Sequence, residues 1–271
     1  MEMFNTFFKI TTFLLLTGLC SFNTLKSEPL VSIITSVYNA DEFIEGFLAE
    51  ITRQTIFSKC ELIIVNANSP GNEEPIIKRY VNKYPNIRYL KLEKDPGLYG
   101  VWNLCIKMAQ ADFITNSNVD DRRDPKLIEY HFNFLNNSPD IDLVYSGYLL
   151  TSTPNETWEK HNARCHVFVE DFSEKRMSKC LPGPQPMWRK SLHDRYGYFD
   201  ESFHFSGDFE FWNRAASQGS KFKNSPGFFG LIYDNPKGLS TDKDFVKSHI
   251  REVENYRIIQ KYKEMWGWKK T

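Results

Sequence analysis

The most restrictive feature of this chain is an alternation that begins at Pro29. Short runs rich in β-branched residues alternate with segments of helical periodicity. LVSIITSV (30–37) predicts a strand, and DEFIEGFLAEITRQ (41–54) a helix with Phe43, Phe47, Leu48 and Ile51 on one stripe. CELIIVN (60–66) reads as a second, nearly continuous apolar strand, EEPIIKRYVNKY (73–84) as a helix and IRYLKL (87–92) as a third strand. Residues 98–110 read as a helix and DFITN (112–116) as a fourth strand; PKLIEYHFNFLNN (125–137) and IDLVYS (141–146) continue the pattern. A strand without a polar face must be covered on both sides, and strands separated by helices return in parallel. The expected fold class is therefore α/β, a mostly parallel sheet flanked by helices.

Such a sheet also predicts where chemistry sits. Ligands bind outside the carboxyl ends of the strands, at a topological switch point. The loops after the first, second and fourth strands are SVYNADE (36–42), NANSPGNE (66–73) and NSNVDDRRD (116–124), and all three reach that edge. All are polar and the third is acidic. Asp120, Asp121 and Asp124 beside Arg122 and Arg123 read either as a solvated turn or as a site for a divalent cation and a phosphate; the edge favours the site. No G-x-G-x-x-G follows the first strand, which disfavours a dinucleotide, and the absence of G-x-x-x-x-G-K-[ST] removes the P-loop NTPases.

Composition removes further classes. With 34 basic and 34 acidic side chains in 271 residues the formal charge is zero, so no global field attracts nucleic acid, and none is expected as a partner. A hydrophobic content of 41% argues against disorder and suffices for one core, or a core plus a smaller lobe. Cys20, Cys60, Cys105, Cys165 and Cys180 include no C-x-x-C pair, and His161, Cys165 and His166 lack zinc spacing. Cys60 and Cys105 fall in apolar periodic segments as small buried hydrophobes, and a Cys165–Cys180 bridge stays open. At the N-terminus, Ile10 to Leu19 after Lys9 fits the apolar core of a secretory signal peptide and is short for a membrane helix, which needs about 20 residues. Residues 1–28 are set apart as a signal peptide or short membrane anchor, the former favoured.

Beyond residue 150 the periodicity weakens. TSTPNETWEKHN is a polar loop, and CLPGPQPMW (180–188) is rich in Pro and Gly. Helices are expected around 189–196 and 208–217, followed by the apolar run GFFGLIY (227–233). Ser240 or Thr241 is expected to cap a final charged helix that reaches about Tyr262.

Four stretches, in order and spacing, resemble the family 2 glycosyltransferases, whose catalytic domain has the GT-A fold. They are VSIITSVYNADEFIEGFLAEITRQT (31–55), ELIIVNANSPG (61–71), DPGLYGVWNLCIKMAQADFITNSNVDD (95–121) and RKSLHDRYGYFDESFHFSGDFEFWNRA (189–215). The likeness implies a GT-A-like sheet with a smaller acceptor-side lobe. It divides the chain into a nucleotide-sugar-binding subdomain (29–150), an acceptor-binding subdomain (151–240) and a C-terminal helix and tail (241–271). It implies an enzyme that moves a sugar from a nucleoside-diphosphate sugar to an acceptor hydroxyl, with inversion. The expected partners are that donor, a glycan, lipid or other hydroxyl acceptor, and a membrane surface met by the N-terminal segment or by WGWKK (266–270). The catalytic domain is expected to face a sugar-nucleotide pool.

The resemblance also assigns residues. A diphosphate leaving group calls for a divalent cation, Mn²⁺ or Mg²⁺, held by one or two carboxylates. The family's Asp-x-Asp-like element corresponds to Asn118-Val119-Asp120-Asp121, so Asp120 is the expected metal ligand and Asn118 replaces a carboxylate. Asp121, Arg122 and Arg123 are expected around it. Thr35, Val37, Asn39 and Asn66 are expected to line the nucleotide pocket, the Asn66 amide offering a base both donor and acceptor. Asp95, Gly97 and Asn103 match positions near the donor. Trp102 stands where Arg is frequent, and Arg122 and Arg123 are the expected substitutes for its phosphate contact. Asp208 in SGDFEFW matches the family's general base; Glu210, two residues on, points to another helix face. Gln185, Trp188 and His204 are expected to line the acceptor pocket. The departures at Asn66, Trp102 and Asn118 also fit an alternative, a catalytically inactive nucleotide-sugar-binding protein of the same fold; Asp120 and Asp208 favour the enzyme. A nucleotidyltransferase would need a Gly- and Arg-rich first loop, which SVYNADE lacks.

Overall fold

Nine strands and seven α-helices follow one another along the described part of the chain. A computed structural model describes residues 28–239 and 241–267. The expected export or anchor segment, apart from Glu28, and also Ser240 and the last residues of WGWKK lie outside the described residues. The strands are β1 (Val31–Val37), β2 (Cys60–Asn66), β3 (Ile87–Lys91), β4 (Phe113–Asn116), β5 (Arg122–Arg123), β6 (Leu143–Thr151), β7 (Cys165–Val167), β8 (Met187–Arg189) and β9 (Phe222–Tyr233). The helices are α1 (Ile44–Ile51), α2 (Glu74–Lys83), α3 (Leu98–Met108), α4 (Leu127–Asn136), α5 (Ser191–Tyr196), α6 (Gly207–Ser217) and α7 (Phe245–Trp266). Among the described residues no helix is long and apolar enough to cross a membrane.

All the strands join one sheet, in the order β3-β2-β1-β4-β8-β6-β9-β5, with β7 paired to β6. The first four are parallel, as their apolar sequences require. Chain order reverses beside β1, which has β2 on one side and β4 on the other, so the switch point lies at their carboxyl ends. Register aligns Val37 with Asn66 and Ile34 with Asn116, and the Ser117 N–H extends the ladder to the Ile34 carbonyl (2.9 Å). The three polar loops therefore leave the sheet side by side.

Successive residues of β1 and β2 point to opposite faces, and each face has its own core. Ile34, Ile63 and Val65 pack with Val101, Cys105 and Ile106 of α3 and with Phe209 and Trp212 of α6. Ile33, Leu62 and Ile64 pack with Ile44, Phe47 and Leu48 of α1, Ile77 of α2 and Ile128 of α4. Each such side chain contributes about 1.5–3 kcal/mol by leaving water, which is why these elements formed where their periodicity placed them. Cys60 and Cys105 are buried as expected, and Cys165 and Cys180 are both free thiols.

The second half of the chain builds onto the same sheet through β6 to β9. GFFGLIY is the end of the longer β9, which runs parallel to β6. The ladder shifts register around Gly147, opposite the stretch where Pro226 lacks an N–H and Gly227 adopts φ +120°. The last helix starts later than expected. Thr241 spends its hydroxyl on the carbonyls of Asn235 and Gly238, and the cap is Asp244, whose side chain accepts from the Lys247 N–H (3.0 Å).

Candidate active site

The loops after β1 and β2 are held by one carboxylate. Glu73, fully buried, accepts from the Ala40 N–H (2.7 Å) and the Ser69 hydroxyl (2.7 Å), and Ser69 Oγ in turn accepts from the Asn39 N–H (2.9 Å). Asn39 and Asn68 take φ values of 50° and 57°, a region that Asn tolerates better than most residues. Asn66 is buried and its Oδ1 accepts from the Ser69 N–H (2.8 Å), so its carbonyl shapes the loop. Thr35 and Val37 are buried too; Val37 packs in the α1-side core, and the Thr35 hydroxyl has no hydrogen-bond partner. Asn39, Asp95 and Gly97 are the exposed members of the expected nucleotide set. Asp95 accepts from the Gly97 N–H (2.8 Å), and Gly97, at φ +82°, opens α3.

Asn103 lies elsewhere. Its amide donates to the Phe199 carbonyl and Glu201 Oε1 (2.9 Å each), and its oxygen accepts from the Phe199 N–H (3.0 Å). Its three bonds tie α3 to the segment before α6. Trp102 is buried against Tyr99 and Phe199.

The acidic turn after β4 separates its two carboxylates. Asp120 is half-buried and accepts from Asn235 Nδ2 (2.9 Å). Asp121 is buried; it accepts from Asn118 Nδ2 (3.0 Å) and from the Tyr233 N–H (3.2 Å). Burial, then the charge of Asp120, push Asp121 up to about 8, against Asn118, the Tyr233 N–H and Arg123. Two repelling carboxylates, one of them accessible, suit a hard cation that keeps diphosphate oxygens and water as its other ligands. Among the described residues no group of three or more His, Cys, Asp or Glu converges on one point, so an all-protein cage is not the arrangement here.

Arg122 and Arg123 correct the expectation of phosphate contacts. Both are buried. Arg122 donates to the carbonyls of Val119 (2.9 Å) and Asp121 (2.8 Å) and to Asn155 Oδ1 (3.0 Å). Arg123 donates to the Asn116 carbonyl (3.0 Å) and Ser117 Oγ (2.8 Å). They brace the acidic turn from beneath, where β5 pairs with β9.

Asp208 stands in the first turn of α6, half-buried. Its Oδ1 accepts from the Tyr99 hydroxyl (3.1 Å) and the Phe209 N–H (2.8 Å), and Cys180 Sγ donates to Oδ2 at 3.6 Å. Burial raises it above the usual carboxylate range, against those three donors. Glu210 is buried with Arg214 and Lys261 (2.9 Å each) on another face of the helix. Tyr148 of β6 links the two halves: burial, then the nearby Cys180 and Asp121, raise its hydroxyl.

The three expected acceptor-side residues do not come together. Gln185 is buried and donates to the Arg122 carbonyl (3.0 Å), with its Oε1 unpartnered. Trp188 is fully buried; it donates to His193 Nε2 (2.9 Å) and packs on Trp212 and Phe199, so its ring is core. His204 is exposed, four residues before Asp208. Tyr99, Cys180, Asn235 and Glu73 were not anticipated; Tyr99 meets Asp208 across 109 residues, beyond any local pattern.

Comparison with known proteins completes the description. The sequence model of "Glycosyl transferase family 2" matches residues 32–197. An uncharacterized glycosyltransferase of Methanocaldococcus jannaschii is 26% identical over 204 residues, covering 72% of this chain and 67% of its own length. One from Bacillus subtilis is 28% identical over 188 residues, covering 69% and 68%. Among solved structures, S. aureus TarS 1–349 in complex with UDP-GlcNAc superposes with a TM-score of 0.67 at 16% identity, over 85% of this chain and 66% of that one. The mannosyltransferase PcManGT from Pyrobaculum calidifontis, in complex with GDP-Man and Mn²⁺, gives 0.63 at 14% identity, over 91% and 66%. In a longer TarS structure this chain spans 43% of the length.

Proposed function

The chain belongs to glycosyl transferase family 2, and from that premise we propose that it transfers a sugar from a nucleoside-diphosphate sugar to an acceptor hydroxyl with inversion. Asp120 meets the metal-bound diphosphate and Asp208 is the general base. The observation that carries this reading is a pair of differently held carboxylates whose surroundings meet at Tyr148, near both Cys180 and Asp121. Asp120 is accessible beside the buried Asp121, and Asp208 has its ionisation raised by burial. A raised carboxylate is a stronger base nearer working pH.

The residues divide the work as follows. Tyr99 and the Phe209 N–H both engage Asp208 Oδ1, which leaves Oδ2 facing only the weak thiol donor of Cys180. An acceptor hydroxyl takes the place of that thiol. Its proton passes to Oδ2 as its oxygen bonds to the anomeric carbon, and the bond to the diphosphate breaks with its electrons staying on the nucleotide. A divalent cation, Mn²⁺ or Mg²⁺, supplies positive charge for that leaving group when bound. Asp120 would hold it, with Asp121 and Asn118 behind. Asn39, Asp95 and Gly97 are the exposed groups available to the nucleotide, over loops that Asn66 and Glu73 shape.

We further read residues 29–150 as the donor-binding part and 151–240 as the acceptor-binding part, with the catalytic domain facing a sugar-nucleotide pool. The acceptor is a glycan, lipid or other hydroxyl compound. UDP and GDP are the nucleotides to try first, since a UDP-sugar and a GDP-sugar occupy the two structural relatives.

The test is calorimetric titration of UDP and GDP into the protein with and without Mn²⁺, beside Asp120→Ala. Binding that requires Mn²⁺ and falls at least about tenfold in the variant, about 1.4 kcal/mol, is the expected result. A folded protein that binds neither nucleotide sinks the donor assignment.

A further inference from the structure

The helix that carries Asp208 is anchored at its entry by α7. Ser206 occupies its N-cap position, yet its side chain makes no cap and donates instead to Asn255 Oδ1 of α7 (2.8 Å). The backbone just ahead of the helix is held from the same turn of α7. Glu254 is buried at 4% exposure, and its carboxylate accepts from three successive backbone N–H groups: His204 (2.6 Å), Phe205 (2.9 Å) and Ser206 (2.9 Å). Successive N–H groups of this kind form an anion-binding nest, and charge-assisted bonds are roughly twice as strong as neutral ones. Two more contacts lock α7 along α6: Lys261 to Glu210 (2.9 Å) and Trp266 Nε1 to Asn213 Oδ1 (3.0 Å). Both helices lie beyond residue 197, where the family match ends.

We propose that Glu254 is a positioning residue for the base: by filling the nest at 204–206 it decides where α6 begins and so where the Asp208 carboxylate stands. This rests on the reading of Asp208 as the base. Asp208 sits two residues after the nest, and its other ties, to Tyr99, Cys180 and the Phe209 N–H, are one hydrogen bond each. Release of the nest leaves that first turn free to shift, and a misplacement of about 1 Å can cost on the order of a hundredfold in turnover.

Two readouts on the full chain test this without a substrate. The first is amide hydrogen exchange at His204, Phe205 and Ser206, expected at least about tenfold faster in Glu254→Ala than in the wild type. Unchanged exchange there overturns the proposal. The second is the pH profile of Cys180 alkylation by iodoacetamide, followed by peptide mass spectrometry. Burial and then the Asp208 carboxylate hold that thiol's ionisation high, and Tyr99 and Tyr148 are the other titratable groups near it. The profile is expected to move to lower pH in Asp208→Asn and in Glu254→Ala, with the double variant moving no further than Asp208→Asn alone. Fully additive shifts would mean that Glu254 acts independently of Asp208, and the proposal fails. Should Glu254→Ala not fold, Glu254→Gln, which keeps one oxygen but loses the charge, carries both readouts with smaller changes in the same directions. UDP and GDP titration of Glu254→Ala with Mn²⁺ serves as control and is expected unchanged. Failure of the transferase reading would appear as lost nucleotide binding in the wild type, and failure of the base assignment as undiminished transfer in Asp208→Asn; neither result alters the exchange or alkylation outcomes.

Discussion

At the scale of single residues, the chain's buried charges show which effect wins when burial and pairing oppose each other. Glu50 of α1 lies 3.7 Å from the Arg122 guanidinium, and both are buried. Burial outweighs the attraction, and the carboxyl is raised from its usual 4.5 to about 7. A folded-state value above the unfolded one means that the folded protein keeps a proton the unfolded chain has lost. The associated stability is present in full below pH 4.5 and disappears as pH rises to about 7. The unfolding free energy of Glu50→Gln relative to wild type is therefore expected to improve by about 1–3 kcal/mol between pH 5 and pH 8, read from urea titrations. No change across that window would show that Arg122 holds Glu50 ionised throughout. Glycine matters at one approach: a Cβ on Gly207 would meet the Tyr99 ring at 2.7 Å, so only glycine lets that ring lie against the start of α6 and reach Asp208.

At the scale of elements, the helices and first four strands lie within a few residues of where periodicity puts them, because each has a face that must be buried. Residues whose partners are remote in sequence behave differently. Asn103 falls on a helix face that resembles a donor-binding position, yet it joins α3 to the backbone of Phe199. Asn103→Ala leaves that N–H and carbonyl unsatisfied, at an expected cost of about 2–4 kcal/mol in unfolding free energy. Its UDP or GDP affinity with Mn²⁺ is expected to stay within about twofold of wild type, since the groups at the loop edge are untouched. A large loss of affinity with stability intact would return Asn103 to the nucleotide site. Trp188 teaches the same lesson, since an aromatic in a Pro- and Gly-rich stretch is read as accessible until β8 is found between β4 and β6.

At the scale of the whole molecule, the site depends on loops that no single element supports. Glu73 joins the turn after β1 to the turn after β2, so the two loops are tied to each other. Glu73→Ala is expected to weaken nucleotide binding about tenfold, about 1.4 kcal/mol, although the side chain is buried behind the loops. Calorimetry with UDP and GDP in Mn²⁺ measures it, and unchanged affinity would mean that the loops hold their shape by other means. The entry to α6 has its own support from α7, which comes after the stretch that the family match covers.

The sequence by itself determined the α/β class, the alternation of strands and helices from β1 to β4 and the edge at which the polar loops meet. Those follow from burial periodicity and from the chemistry of parallel strands, which act over a few residues at a time. It also placed Asp120 and Asp121 in a polar loop at that edge and Asp208 at the start of a helix. Only the tertiary structure decided that Asp121 is buried and Asp120 accessible, that Arg122 and Arg123 turn inward, and that Trp188 is core. Only the folded chain shows that Tyr99 and Cys180 meet Asp208 and that Glu254 holds the backbone just ahead of its helix. The reason is physical: burial, pKa and hydrogen-bond partnership depend on groups tens of residues away, and a local pattern carries no record of them.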